Sequence, residues 1–422
     1  MISSKVRAGA VGVTALTLAV AACTKDAVDI LPPKTTPVNA LFTSYVSLGN
    51  SITAGYQSGG IMDSTQRQSY AFLLAQQMRT QFNYPALATP GCPPPVVNFL
   101  TQARYGGSNS TSTTCALRDA ASANAIINNV AVPGAASVDL TATTSASSNI
   151  LTSLFLGGKS QVAKALDARP TFATVWMGNN DVLDAAAKGL AYFSNTASAG
   201  EKALLTQFAS PGITPAATFI TNYRNGINLL NSRGTLKGGV LIGVVNVTAI
   251  PLLFPAESLY TNPTFKAMFD AAAGGTVTLI PNCIGSHALL SFAVTSVMRS
   301  NANFRYVSCQ KNVPAAPLGD AFVLDTTDQR IFNSTITAYN AYIAAKADSI
   351  GFAYFDPNAA LGQLRAAGAI PTLPNVTSAT APFGSYISLD GVHPAAPAHK
   401  LIANSLVALI NTKYRTNITA LP

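Results

Sequence analysis

Short, nearly continuous apolar runs alternate along the chain with longer segments in which apolar residues recur at helical spacing. The runs predict strands, because apolar stretches of about four to eight residues are typical of strands buried on both faces. The predicted strands are Ser44–Leu48, Asn129–Val132, Phe172–Met177, Val240–Val245 and Phe352–Phe355. The predicted helices are Ser69–Phe82, Gln161–Ala168, Ala216–Ser232, Ser334–Ile350 and Ala395–Thr412.

This alternation predicts an α/β fold with a parallel central sheet of about five strands, covered by helices on both faces. The chain has 422 residues, which is more than such a core needs. The surplus falls in three insertions at about 85–125, 184–214 and 250–325. We expect these insertions to form loops and small helices over the face that carries the functional site. Residues 41–422 are therefore expected to be one domain.

The first 22 residues have the composition of an export signal. Two basic residues precede the apolar stretch 8–22, which ends in Val20-Ala21-Ala22-Cys23. This ending looks like a bacterial lipobox, which implies that Cys23 is the lipidated first residue of an exported lipoprotein. An ordinary secretory signal is the alternative. Residues 23–40 have the composition of a tether, so we expect membrane anchoring, in the outer membrane on its periplasmic or surface side.

The charge of the chain is mildly basic. Its 26 Lys+Arg against 17 Asp+Glu give a formal net charge of +9, without a run of basic residues. Such a spread charge does not predict nucleic-acid binding. It is compatible with an anionic membrane surface nearby, and it leaves the oligomeric state open.

Four cysteines follow Cys23, namely Cys92, Cys115, Cys283 and Cys309. An even number in an exported protein favours disulfides over a metal site. Pairing of sequence neighbours gives Cys92–Cys115 and Cys283–Cys309, each closing a loop of about 25 residues and contributing about 3 kcal/mol by chain entropy. Other pairings stay open. The chain has three histidines and no metal-binding motif, so we expect no metal and no cofactor.

Ser51 directly follows the first predicted strand, and Gly49 marks the turn between them. Open α/β sheets bind ligands at the carboxyl ends of their strands, where this serine lies. A serine hydroxyl needs a base to become a nucleophile. Just ahead of the closing helix, His393 is the candidate base, and Asp390 is the candidate carboxylate that orients it.

Acyl transfer at a serine also requires hydrogen-bond donors for the oxyanion of the tetrahedral intermediate. The backbone N–H groups of Ser51 and Gly134 are two candidates, since a glycine permits close approach of the backbone. The side-chain amide of Asn180 is a third, because it follows the predicted strand Phe172–Met177. A turn glycine and a strand-capping asparagine are the structural alternatives.

Four segments, in this order along the chain, resemble the blocks of the SGNH, or GDSL, hydrolase family. They are Gly49-Asn50-Ser51-Ile52, Asn129-Val130-Ala131-Val132-Pro133-Gly134-Ala135, Gly178-Asn179-Asn180-Asp181 and Asp390-Gly391-Val392-His393. The resemblance implies an SGNH-hydrolase-like, flavodoxin-like three-layer α/β/α sandwich. It also implies a serine hydrolase that forms an acyl-Ser51 intermediate. Asn50 is a departure, since the family usually has Asp before the serine.

Two further stretches, Val240 to Pro251 and Phe383 to Asp390, are similar to lipase-like members of the family. They favour carboxylic esters with an acyl chain as substrates, although acyl length and alcohol moiety stay open. One alternative is a carbohydrate O-acetylesterase that acts on surface or dietary glycans. An alternative of another class is a catalytically silent surface-binding lipoprotein, for which Asn50 is the hint.

Overall fold

The computed structural model describes residues 36–107, 118–119, 122, 125–311, 318 and 321–422. The expected signal segment 1–22, Cys23, most of the expected tether and Cys115 lie outside these residues. Within the described part of the chain, no helix combines the length and hydropathy that a membrane span requires.

The regular elements follow the alternation that the sequence predicts. The strands are β1 (Tyr45–Gly49), β2 (Val96–Asn98), β3 (Ala103–Arg104), β4 (Phe172–Trp176), β5 (Gly238–Ile242), β6 (Leu253–Pro255), β7 (Thr278–Leu279), β8 (Leu289–Ser291), β9 (Tyr306–Val307), β10 (Val323–Leu324) and β11 (Ala353–Phe355). The α-helices are Ser51–Ala54, Asp63–Arg67, Tyr70–Met78, Ile150–Leu156, Gln161–Leu166, Leu183–Ala187, Ala199–Gln207, Ala216–Asn231, Ser258–Thr261, Pro263–Ala272, Val294–Ser300, Thr326–Ser349, Pro357–Ala366 and Ala396–Tyr414.

The central sheet is parallel, with the strand order β1-β4-β5-β11. Every residue of β1, β4 and β5 is buried, as expected for strands covered on both faces. Alternate residues of the strands point to opposite sides and enter two separate apolar clusters. Val46 and Val175 belong to one cluster, whereas Tyr45 and Trp176 belong to the other.

Helices cover each of these clusters. Tyr70–Met78 and Ala396–Tyr414 pack against each other on one face of the sheet. Ala216–Asn231 and Thr326–Ser349 pack together on the other, where Gln161–Leu166 also lies. These three layers confirm the α/β fold class expected from the sequence.

The fifth predicted strand, Asn129–Val132, is the exception. It joins β1 through a single parallel bridge between Ser47 and Asn129, although the N–H groups of Val130 and Val132 also donate to β1. The Asn129 side chain accepts a hydrogen bond from the Ala131 N–H at 3.2 Å, which bends the chain locally instead of extending it. Among the described residues the central sheet therefore has four strands and one bridged edge segment.

The 250–325 insertion contains more regular structure than expected. In place of loops and small helices alone, the described part forms an antiparallel sheet in the order β10-β8-β6. This sheet packs into a further apolar cluster that includes Phe254, Phe269 and Leu290. The Cys283–Cys309 disulfide, present as predicted, lies in the same cluster. Short apolar pairs such as Leu289-Leu290 were too brief to predict strands.

Candidate active site

Ser51 lies at the carboxyl end of β1, where the strand turns into the short helix Ser51–Ala54. The turn requires Gly49, because a Cβ atom there would come within 2.4 Å of Thr53 Oγ1 and 2.8 Å of the Trp176 carbonyl oxygen. Asn50 caps the helix by accepting a hydrogen bond from the Ile52 N–H at 3.1 Å. The sharp turn fixes the Ser51 side chain at the edge of the sheet, with 7% of the residue exposed.

The structure brings Ser51, His393 and Asp390 into one hydrogen-bonded chain. Ser51 Oγ lies 2.8 Å from His393 Nε2, and His393 Nδ1 lies 2.8 Å from Asp390 Oδ2. A carboxylate can only accept, so Nδ1 carries the proton and Nε2 accepts from the serine hydroxyl. This tautomer leaves Nε2 ready to take the hydroxyl proton.

Asp390 is held by donors on both of its oxygens. Oδ1 accepts from Ser388 Oγ at 3.0 Å and from the N–H groups of Val392 and His393 at 3.0 and 2.9 Å, while Oδ2 also accepts from the Gly59 N–H at 2.9 Å. Burial by itself favours the neutral carboxyl. The His393 imidazole and these hydrogen bonds outweigh burial and hold the pKa of Asp390 well below its usual range.

The Ser58-Gly59 turn anchors the loop that carries Asp390, and the sequence did not reveal this role. The Ser58 N–H donates to Ser388 Oγ at 2.9 Å, and the Leu389 N–H donates to Ser58 Oγ at 3.2 Å. Ser58 adopts a φ of +54°, a left-handed conformation that is uncommon outside glycine, in a turn that continues through Gly59. The run Ser58-Gly59-Gly60 was the available signal, but it predicts only a turn, not the segment that the turn contacts.

Tyr56 is a second residue that sequence reasoning missed. Its ring centroid lies 5.0 Å from that of His393, at an interplanar angle of 54°. Burial, followed by the charge of Asp390, raises the pKa of Tyr56 to about 12. The tyrosine therefore stays neutral and packs beside the imidazole.

The three candidate oxyanion donors lie around the same cleft, which has a volume of about 350 Å³. Ser51, Gly134 and Asn180 line it together with His393 and Tyr56. Gly134 has a φ of +86°, a left-handed conformation that favours glycine. Within the described part of the chain, neither the Ser51 nor the Gly134 N–H donates a hydrogen bond to another backbone group.

Asn180 is oriented by a neighbouring carbonyl. Its Nδ2 donates to the Ala135 carbonyl oxygen at 2.9 Å. Because a primary amide has two N–H bonds, the second remains able to donate into the cleft. The contact also joins the Asn180 turn to the loop that carries Gly134.

Asp181 strengthens that junction. Its carboxylate accepts from the Ser137 N–H at 2.8 Å and from Ser137 Oγ at 2.7 Å. The side chain is buried, and burial raises the pKa of Asp181 to about 6, although the Ser137 hydrogen bonds oppose the shift. Asp181 thereby holds the Asn180 turn against the loop that carries Gly134, and it is not among the residues that line the cleft.

Asn50, which stands where the family usually has Asp, still caps the helix Ser51–Ala54. Its amide oxygen accepts from Ile52 as an aspartate oxygen would, and the residue is fully buried. Its Nδ2 has no hydrogen-bond partner among the described residues. An amide at this buried position therefore preserves the turn without adding a charge next to Ser51.

The other two histidines lie outside the cleft. His399 is fully buried in the helix Ala396–Tyr414, and its Nδ1 accepts from the Tyr70 N–H at 3.2 Å. Burial, and then the charge of His393, lowers the pKa of His399 to about 3, so it is a neutral packed residue. His287 is exposed in the 250–325 insertion.

Among the described residues, no three His, Cys, Asp or Glu side chains lie together in an arrangement that could hold a metal ion. Cys92 lines the cleft and is disulfide-bonded. Its expected partner Cys115 lies outside the described residues, so the Cys92–Cys115 pairing stays a prediction.

Comparison with known proteins agrees with the blocks found in the sequence. The family model described as GDSL-like lipase/acylhydrolase matches residues 45–406. No curated protein matches the chain. A solved extracellular lipase from Streptomyces rimosus is 15% identical, covering 88% of this chain and 99% of its own, with a TM-score of 0.32. The family match spans most of the chain, and the chain therefore belongs to the GDSL-like lipase/acylhydrolase family.

Proposed function

We propose that the protein is a serine hydrolase that cleaves carboxylic esters of the lipase or esterase type through an acyl-Ser51 intermediate. The observation that carries the proposal is the hydrogen-bonded chain from Ser51 Oγ through His393 to Asp390, next to the candidate oxyanion donors. A serine, a histidine base and an orienting carboxylate form the arrangement that activates a hydroxyl for acyl transfer.

In the first half of the reaction, Ser51 Oγ attacks the ester carbonyl carbon while His393 Nε2 takes the hydroxyl proton. The negative charge on the carbonyl oxygen faces the N–H groups of Ser51 and Gly134 and the amide of Asn180. The carbon–oxygen bond to the alcohol then breaks. His393 returns its proton to the departing alcohol oxygen, and the acyl group stays on Ser51.

In the second half, a water molecule takes the place of the alcohol beside His393. His393 removes a proton from this water, the hydroxide attacks the acyl carbon, and Ser51 leaves with the proton that His393 holds. The carboxylic acid is released. Asp390 stays ionised throughout and stabilises each imidazolium.

The lining of the cleft favours an apolar ester over the sugar of an acetylated glycan. Ile150, Leu151, Leu183 and two prolines contribute aliphatic surface, with Tyr56 as an aromatic side chain. Carbohydrate O-acetylesterase activity remains the competing proposal. Asn50 was the reason to consider a catalytically silent lipoprotein. That reason is removed, because Asn50 caps the helix as an aspartate would.

Hydrolysis by the purified protein tests the proposal. We expect release of p-nitrophenol from p-nitrophenyl acyl esters, loss of that activity in Ser51→Ala, and little acetate from acetylated xylan. The surface variant Ser153→Ala is the matched control and should behave as wild type. Acetate release from xylan that exceeds acyl-ester turnover would favour the glycan esterase. No ester hydrolysis by wild type would contradict the proposal.

A second proposal concerns location. We propose that Cys23 carries lipid and that residues 1–22 are removed, on the basis of Val20-Ala21-Ala22-Cys23. The catalytic domain would then be tethered to a bacterial membrane, the outer one being our proposal. Intact-mass analysis of membrane-extracted protein tests this, and an unmodified Cys23 would contradict it.

A further inference from the structure

Two mainly apolar spaces lie near the Ser51–His393 pair, apart from the open cleft. The first, of about 30 Å³, is lined by Ser51, His393 and Asn179 and by aliphatic residues that include Leu183 and Val247. The second, of about 90 Å³, lies between the helix Pro357–Ala366, the start of the helix Ala396–Tyr414 and the segment Tyr386–Pro394.

The second space has a mainly apolar lining. Among the described residues, every side chain that lines it is aliphatic, proline or aromatic, and none carries a charge. Its outer end lies beside Leu401, which is 37% exposed. A cavity without polar partners does not hold water well, whereas it accepts hydrocarbon.

The two spaces share a wall. Ile52, Val245, Ile250 and Val392 line both of them. Two of these residues are sequence neighbours of the site, since Ile52 follows Ser51 and Val392 precedes His393, and Val245 lies three residues beyond the end of β5. A change of rotamer in these aliphatic side chains would join the two spaces into one passage that begins at Ser51 Oγ.

We propose that this passage is the acyl-chain pocket of the enzyme and that it takes an aliphatic chain longer than acetyl. The proposal rests on the ester hydrolase function proposed above and names its substrate class. The ester carbon sits at Ser51, the chain passes the shared wall, and its methyl end reaches the space beside Ala360 and Leu401.

The order of the reaction assigns the passage to the acyl group and the open cleft to the alcohol. After acylation the alcohol must leave and water must reach Ser51 and His393, while the acyl group stays bound. A water molecule crosses the apolar wall formed by Ile52, Val245, Ile250 and Val392 at a cost, since that wall offers no hydrogen bonds. The open cleft is also largely aliphatic, but it offers a water molecule a hydrogen-bond partner in Asn180.

Burial of hydrocarbon in the passage predicts chain-length selectivity. Each methylene transferred from water to an apolar site is favourable by about fourfold. The kcat/KM should therefore rise with acyl length until the passage is filled. It should not rise in the same way with the length of the alcohol.

The test narrows the far end of the passage without touching Ser51 or His393. Ala360→Trp places an indole on a half-buried alanine that lines the 90 Å³ space. The matched control is Ala344→Trp, a half-buried helical alanine in a groove that contains no residue of the Ser51 site. The readout is the ratio of kcat/KM for p-nitrophenyl decanoate to that for p-nitrophenyl acetate.

We expect Ala360→Trp to lower this ratio tenfold or more and Ala344→Trp to leave it at the wild-type value. In a second series, the ratio for decyl acetate to methyl acetate should not change in Ala360→Trp. A fall of less than tenfold in the decanoate-to-acetate ratio overturns the proposed acyl pocket. A fall that occurs only in the ratio for decyl acetate to methyl acetate overturns it as well. Failure of wild type on every ester would instead overturn the proposed function.

A second variant tests the same passage if Ala360→Trp does not fold. Ile250 is 4% exposed and lies in the shared wall, so Ile250→Ala widens the passage. The decanoate-to-acetate ratio should rise, in the direction opposite to that of Ala360→Trp. An unchanged or lower ratio in a folded Ile250→Ala protein overturns the proposal.

Discussion

Asp390 and Asp181 are two carboxylates that support different parts of the proposed reaction. Asp390 supports the proposed base His393, and Asp181 supports the turn that carries the proposed oxyanion donor Asn180. Asp390 bonds to His393 at 2.8 Å, and Asp181 directly follows Asn180 and binds Ser137. Their pKa values move in opposite directions. The imidazole beside Asp390 lowers its pKa, whereas burial among neutral donors raises the pKa of Asp181 to about 6.

The difference shows that partners, not residue type, decide what a carboxylate does. A carboxylate that faces an imidazole can stabilise positive charge during a reaction. A buried carboxylate that faces only N–H and O–H donors organises the backbone around it. In the proposed reaction, the acid–base side of the site therefore depends on charge, and the oxyanion side depends on geometry.

We expect the largest effect on catalysis when the charge of Asp390 is removed. In Asp390→Asn the imidazole loses the partner that selects its tautomer, so we expect kcat to fall by about 10⁴-fold. The control is Asp167→Asn, a carboxylate that forms a surface ion pair with Lys159. Steady-state kinetics on folded variants decide the point, and a kcat within tenfold of wild type would remove Asp390 from the acid–base side.

The second prediction addresses the oxyanion side. Asn180→Ala removes a donor that acts only on the transition-state charge, so kcat should fall by about 10²–10³-fold while KM stays nearly unchanged. Asn228→Ala, at an exposed asparagine bonded to Lys346, is the control. If Asn180→Ala keeps a near-normal kcat, Asn180 is a strand-end cap, and the oxyanion site reduces to backbone donors.

The third prediction separates the two carboxylates by pH. Since the pKa of Asp181 is about 6 in the folded state and about 3.9 unfolded, the folded state binds the extra proton between these values. Stability should therefore fall as pH rises from about 4 to about 6. In Asp181→Asn this contribution, at most about 3 kcal/mol, should be absent.

Chemical unfolding of wild type and Asp181→Asn at a series of pH values checks the sign. The free energy of unfolding of the variant should gain on wild type as pH rises through that window. The same slope in both proteins would mean that Asp181 is not responsible for it. Asp181→Ala should lose stability and activity together, because it leaves the Ser137 donors without an acceptor.

Much of the site was readable from the sequence because it depends on local blocks at strand ends. Ser51, Gly134 and Asn180 each follow a predicted strand or edge segment, and parallel strands bring their carboxyl ends to one edge. Asp390 and His393 lie three residues apart on one loop. The expected fifth strand proved to be an edge segment, because the Asn129 side chain bonds its own backbone.

The contacts that hold these blocks together could not be predicted from the sequence. Ser58 and Gly59 meet the Asp390 loop across more than 300 residues of sequence, and no local pattern encodes such a meeting. The antiparallel sheet of the 250–325 insertion has strands of two or three residues, too short to give a periodic signal. The tilted contact between the rings of Tyr56 and His393 also joins residues far apart in sequence, so no local pattern predicts it.

The smallest effect on catalysis should come from the 250–325 insertion. Cys283 and Cys309 are buried in the cluster around Phe254 and line no part of the Ser51 cleft. Replacing both with alanine should lower the free energy of unfolding by about 3 kcal/mol, since the disulfide limits the unfolded chain. The kcat should stay at the wild-type value. A large loss of kcat in the folded variant would show that the insertion supports the chemistry directly.

Covalent labelling tests directly whether Ser51 is the nucleophile that His393 and Asp390 activate. A fluorophosphonate probe reacts with a serine whose hydroxyl is activated by a neighbouring base, so peptide mass spectrometry should find it on Ser51 of the wild-type protein. Labelling should be absent in Ser51→Ala and strongly reduced in Asp390→Asn. Labelling that persists undiminished in Ser51→Ala, or an unlabelled wild-type Ser51, would contradict the account.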